Sequence, residues 1–135
     1  MRRRYGIVRP IIRGEILAGD GSWWPAEFLI DTGADRTVFN ASTLAALRLQ
    51  AVATAHRLGG VGGLAAATLV TTQIQFSREE AGKVVFRGQY AAVTDLETLE
   101  MSVLGRDIIG LFALIVDRLR GIVCLLRQGH QYTIE

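Results

Sequence analysis

Leu29-Ile30-Asp31-Thr32-Gly33-Ala34-Asp35 is the stretch on which the reading of this chain turns. The apolar ribbon Ala26-Glu27-Phe28-Leu29-Ile30 runs straight into a carboxylate, and small residues follow it. A carboxylate that ends a strand is often only a turn former bonding nearby backbone amides. Local composition does not separate that role from a chemical one. Upstream, residues 11–17 mix β-branched residues with charges, Gly19-Asp20-Gly21-Ser22 is a turn, and Trp23-Trp24-Pro25 leads into the ribbon, which together predict a hairpin. Downstream, Asn40 caps good helix formers through Leu47, predicting a short helix.

Residues 68–76 alternate as a strand, with Leu69, Ile74 and Phe76 interleaved with Thr and Gln and with Val70 out of step. Residues 83–93 are its partner across the turn Arg78-Glu79-Glu80-Ala81-Gly82. Gly105-Arg106-Asp107 opens a buried helical turn or two over residues 108–112, and residues 113–117 and 122–126 form a last hairpin. About seven short strands with one or two short helices predict an all-β fold, a closed or orthogonally packed barrel-like sheet.

The bulk numbers narrow the function classes. A chain of 135 residues suits one domain spanning 1–135, with a folded core over about 5–126 and short tails. Half the residues are hydrophobic and 21% are charged, enough to build a core. The net charge of +2, part of it from Arg2-Arg3-Arg4 at the terminus, is too small to point to nucleic acid. Cys124 is the one cysteine, set in the apolar run Ile122-Val123-Cys124-Leu125-Leu126, so it is read as a small buried hydrophobe and no internal disulfide forms. The most apolar stretch, 108–126, is broken by Asp117, Arg118 and Arg120, so no membrane span is expected. With no recognisable signal peptide, a cytoplasmic location is expected.

His56 and His130 lack neighbours at ligand spacing, so neither a metal nor a cofactor is expected. Glu79-Glu80, Glu97 and Glu100 are solvated faces, and Trp23-Trp24 suits strand packing, a dimer contact or a pocket wall. The glycine string Gly59-Gly60-Val61-Gly62-Gly63 loosely fits a dinucleotide fingerprint with Ala65. That motif needs a helix after it, and a strand follows instead. A flexible hairpin tip suits these glycines better.

Taken whole, Leu29 to Asp35 resembles the active-site signature of retropepsin-like aspartic peptidases, the single-lobe relatives of pepsin. Leu58-Gly59-Gly60-Val61-Gly62-Gly63 is similar to the glycine-rich flap of retroviral peptidases. Val103-Leu104-Gly105-Arg106-Asp107-Ile108-Ile109 resembles the segment and helix that close the active-site loop in that family. The likeness runs from about Ala26 to Leu126, with the three motifs in family order.

The resemblance implies an acid-protease lobe with Asp31 as catalytic carboxylate. It implies that Thr32 bonds across to a partner chain and that Gly33 allows close backbone approach beneath the substrate. Ala34, Asp35 and the flap residues Gly59, Gly60, Val61, Gly62 and Gly63 are then the substrate-binding set with Gly33. Leu104, Gly105 and Arg106 support the site, with Arg106 in a partly buried pair with Asp35; the plain alternative for Asp35 is a solvated turn acid. Such chemistry uses two carboxylates about 3 Å apart that share a proton, so that one acts as base and the other as acid. The chain has a single Asp-Thr-Gly and no Asp-Ser-Gly, so a homodimer with a two-fold axis at the active site is expected, cutting extended peptides. The alternative is a peptide-binding or scaffolding module of the same fold. Residues 113–126 continue beyond the point where viral members stop, as in cellular and bacterial members, so that hairpin is one candidate for the dimer interface and the viral interface residues do not carry over.

Overall fold

The computed structural model describes residues 2–4, 7–58, 65–79 and 81–127. Short β1 (Arg2–Arg4) and β2 (Ile7–Arg9) pair antiparallel ahead of the main sheet. The first long hairpin is β3 (Ile11–Leu17) with β4 (Trp23–Ile30), in register from Ile11↔Leu29 to Leu17↔Trp23. Its turn closes as the sequence predicts: Asp20 Oδ1 accepts from the Ser22 amide at 2.9 Å, and Gly21 sits at φ +88°. A residue without Cβ takes that left-handed conformation at little cost.

After Asp31 come β5 (Val38–Phe39) and α1 (Ala41–Leu47), capped by Asn40, whose Oδ1 accepts from the Thr43 amide at 3.1 Å. Then follow β6 (Ala51–Leu58), β7 (Ala65–Ser77), β8 (Lys83–Val93), β9 (Ser102–Leu104), α2 (Arg106–Ile109), β10 (Phe112–Asp117) and β11 (Ile122–Arg127). The strand order β3-β4-β9-β5-β8-β7 closes on itself through Glu15↔Gln75 and Ile16↔Ile74, giving a six-stranded barrel with β6 along the outer edge of β7. The all-β, closed architecture expected from the pattern is the one observed.

Ile16, Phe28, Phe39, Val70, Ile74 and Leu104 fill the barrel with almost no exposure. Phe28 packs edge-on against Phe76 at 6.0 Å between ring centroids and tilted against Phe39 at 6.4 Å. Phe76 continues to Phe86 and Phe86 to Phe112, so an aromatic row ties the barrel to the last hairpin. That hairpin, β10 with β11, is hydrogen-bonded as its own two-stranded sheet. An isolated two-stranded ribbon is marginal in water. Its inner face, Phe112, Leu114, Val123 and Leu125, rests on the core and holds it in place.

Two expectations from the sequence need correction, the register of residues 68–76 and the extent of the second helix, and three strands have no counterpart in the sequence reading. In β7 the inward face is Val70, Thr72, Ile74 and Phe76, so Val70 is in step and Leu69 belongs to the opposite face, where it packs on Val38, Ala91 and Val93. Thr72 disguises the alternation because its hydroxyl, donating to the Leu17 carbonyl at 2.6 Å, lets a polar residue sit inside. Strand β6 went unread because Ala51-Val52-Ala53-Thr54-Ala55-His56 is poor in strand formers; pairing with β7 supplies the conformation. Strands β5 and β9 are too short to carry a period. The second helix begins at Arg106 and ends at Ile109, and Phe112 already belongs to β10.

Candidate active site

Strand β4 delivers Asp31 to the rim of the barrel, and the parallel strand β9 fixes it there. Phe28, Leu29 and Ile30 lie opposite Ser102, Val103 and Leu104, and the ladder ends with the Asp31 amide donating to the Leu104 carbonyl at 3.1 Å. Parallel strands covered on both faces read as short, wholly buried runs, and β9 is buried at all three positions. It lies between β4 and β5, pairing with β5 through Val38↔Val103, so the loop from Asp31 to Thr37 arches from one neighbour of β9 to the other.

Within that loop the Gly33 amide donates to Asp31 Oδ1 at 2.9 Å and the Ala34 amide to the Asp31 carbonyl at 3.2 Å. One carboxylate oxygen is thereby oriented by the backbone. Asp31 is partly exposed, and Thr32 and Gly33 are exposed beside it. A Cβ on residue 33 would stand 3.2 Å from Asp31 Oδ1, so part of the demand for glycine comes from the carboxylate itself.

Helix α2 braces the loop from below. The Arg106 amide donates to the Ala34 carbonyl at 2.9 Å, and the Gly105 amide to Thr37 Oγ1 at 3.1 Å. Asp107 Oδ1 accepts from the Thr37 amide at 2.9 Å, from Thr37 Oγ1 at 2.7 Å and from the Ile108 amide at 3.0 Å. Ala34 is buried against Val103, with Leu99 over them. The Arg106 guanidinium meets Asp35 through Nη2 and Oδ1, with the two side chains 57% and 81% exposed. The pair is thus solvated in the single chain, where the sequence reading had it partly buried.

The structure therefore gathers Asp31, Thr32, Gly33, Ala34, Asp35, Leu104, Gly105 and Arg106 around one loop. Gly59, Gly60, Val61, Gly62 and Gly63 lie outside the described residues. Sequence reasoning missed Thr37 and Asp107. Thr37 is wholly buried and directly precedes β5, a strand too short to be read from the sequence. Asp107 reads as an ordinary acid in the first turn of a helix. Asp107 lies inside the Val103–Ile109 segment singled out above, but nothing in that segment assigns its carboxylate a partner, and no local pattern marks Thr37. Behind this corner, burial pushes the Tyr90 phenol up to about 12, helped by the Asp107 carboxylate, while its hydroxyl donates to the Phe86 carbonyl at 2.9 Å. Among the described residues no three His, Cys, Asp or Glu side chains lie together as metal ligands would, and no helix is long and apolar enough to cross a membrane.

The sequence matches the model of a family described as aspartyl protease over residues 15–108. No curated protein matches it. Among solved structures, the fold is similar to EIAV protease in complex with the inhibitor HBY-793, at TM-score 0.55 and 21% identity, covering 82% of this chain and 92% of that one. It is also similar to a retropepsin-like aspartic protease from Rickettsia conorii, at TM-score 0.53 and 18% identity, covering 87% and 89%.

Proposed function

Because the chain belongs to the aspartyl protease family, we propose that it works as a homodimeric aspartic endopeptidase in which each copy supplies one Asp31. The observation that carries this reading is the Asp31 corner. A partly exposed carboxylate at a strand end is held by the Leu104 carbonyl through its own amide and by the Gly33 amide through Oδ1. One oxygen is oriented, and small exposed residues leave room beside it. Each chain has one such corner, and the chemistry needs two carboxylates sharing a proton. A water held between the two Asp31 side chains is activated by the ionised one while the protonated one supports the scissile carbonyl, and the roles exchange as the amine leaves.

Thr32, exposed next to Asp31, is free to bond across the two-fold axis. Asp35 and the segment 59–63 hold an extended peptide over the Asp31 floor. The outer face of the last hairpin supports the dimer reading: Ala113, Ile115, Ile122, Cys124 and Leu126 lie on it, and Ile115 and Ile122 are each nearly half exposed. A second copy covers that face while bringing its own Asp31 to the axis.

The test compares wild type with Asp31→Asn on a peptide library and a denatured protein, with mass measured in solution. Cleavage by wild type alone, from a species of twice the chain mass, is the expected result. Equal cleavage by both proteins sinks the catalytic role of Asp31. A monomer that binds peptides without cutting them leaves the chain a binding module of the same fold.

A further inference from the structure

We infer that Asp107 is a positioning residue for Asp31, acting through Thr37; its activity readout rests on the peptidase reading above. The two ends of the Asp31 loop are held differently. At its start, Asp31 is tied to Leu104 by one backbone bond. At its end, Thr37 is wholly buried and its hydroxyl is used twice, accepting from the Gly105 amide and donating to Asp107 Oδ1. The same oxygen of Asp107 takes the Thr37 amide and the Ile108 amide. One carboxylate oxygen thus joins the loop's last residue to the first turn of α2, and the Thr37 hydroxyl joins it to the residue after β9.

The other side-chain tie between loop and helix, Asp35 with Arg106, is mostly solvent-exposed, where water and salt weaken ion pairs. Thr37 is wholly buried and its bonds to Asp107 are part-buried, so water competes less for them even though Asp107 itself is exposed. The rigidity of the loop in the single chain therefore rests on Thr37 and Asp107. Loosening them lets the segment from Ala34 to Thr37 shift, and Asp31 with it, since Ala34 bonds back to the Asp31 carbonyl.

What the site needs from Asp107 is an acceptor at Oδ1, not a charge. Asparagine offers the same oxygen, and alanine offers none. Asp107→Ala is expected to lower kcat by roughly 10- to 100-fold with KM changed less than about threefold, the size that small misplacements of reacting groups produce. Asp107→Asn is expected to restore kcat to within about threefold of wild type, because the acceptor is kept. In parallel, carboxyl 13C NMR of Asp31 reads the environment of that side chain without any turnover. Its signal is expected to move in Asp107→Ala and to return in Asp107→Asn.

Should Asp107→Ala fail to fold, Thr37→Val and Thr37→Ser make the same comparison, since serine keeps the hydroxyl and valine only the shape. The proposal is overturned if Asn is as impaired as Ala, or if Ala leaves both kcat and the Asp31 signal unchanged. If wild type cleaves nothing, the peptidase reading has failed and the NMR comparison still decides the positioning role.

Discussion

Gly105 passes so close to Arg36 that a Cβ on residue 105 would lie 2.4 Å from both the carbonyl carbon and the carbonyl oxygen of Arg36. The obstacle is backbone, so no side-chain rotation relieves it. Glycine is demanded here by contact: the chain leaving β9 and the loop leaving β4 cross with no space between them. Gly105→Ala must push them apart, which strains the bond from the Arg106 amide to the Ala34 carbonyl and the one from the Gly105 amide to Thr37. Overpacking of this kind costs about 1–3 kcal/mol, and the upper end is expected. Urea unfolding reads the stability loss, and cleavage should fall further than stability alone accounts for. An unchanged midpoint and unchanged cleavage would show that the crossing relaxes freely.

The barrel interior sets a second expectation. Phe28 is completely buried and touches the rings of Phe39 and Phe76, and it sits on the strand that leads into Asp31, three residues before it. Phe28→Ala removes a ring that its neighbours cannot replace, which typically costs about 3–5 kcal/mol. Against a total stability of about 5–15 kcal/mol for ordinary domains, that is enough to bring the unfolding transition close to working temperature. Phe28→Leu keeps most of the volume and is expected to lose much less. Thermal unfolding followed by circular dichroism distinguishes the two, and equal melting temperatures for both would contradict the packing described.

Tyr90 gives a prediction in pH. Burial, with the Asp107 carboxylate adding to it, raises the phenol to about 12 from its ordinary value near 10. A raised acid is one whose protonated form the folded state prefers. Its contribution is therefore fully present below pH 10 and is lost as the pH climbs through the window from about 10 to about 12. Tyr90→Phe is expected to flatten that part of the stability–pH curve, at the price of the hydrogen bond to the Phe86 carbonyl, about 1 kcal/mol at neutral pH. Chemical denaturation at pH 7 and across pH 9–11.5 measures both. A curve with the same alkaline slope in the variant would remove Tyr90 as its cause.

These sites differ in how far the sequence announced them. The hairpin of β3 and β4, the Asn40-capped helix, the long pair β7–β8 and the last hairpin follow from turn residues and periodicity, which are local. Asp31 stands out through the resemblance of the whole string from Leu29 to Asp35, since a strand ending on a carboxylate by itself suits a turn former. Strand β9 escaped because three buried residues have no period, and its partners Phe28 to Ile30 are more than seventy positions away. Thr37 and Asp107 escaped for the same reason. Their role is a contact across 70 positions, and neither residue is unusual in its own neighbourhood. The crossing of Gly105 with Arg36 is a fact of two backbones meeting, visible in sequence only as one glycine among fifteen.

The last hairpin carries a prediction about assembly. Its inner face is committed to the barrel through Phe112, Leu114, Val123 and Leu125. Its outer face leaves Ile115 43% and Ile122 44% exposed, diagonal neighbours two residues apart in register on adjacent strands. A charge placed there barely disturbs the folded chain, because exposed positions away from the core usually shift stability by under about 0.5 kcal/mol. It does set like charges against each other across a two-fold axis, since a self-complementary interface doubles every substitution. If the proposed homodimer uses this face, Ile115→Glu and Ile122→Glu are expected to melt as wild type does, yet to sediment as monomers at concentrations where wild type sediments at twice the chain mass. Under the proposed function, in which each copy supplies one Asp31, cleavage should fall steeply with dilution in the variants and recover as protein is added. Variants that remain dimers with wild-type activity at every concentration would place the dimer contact elsewhere on the barrel.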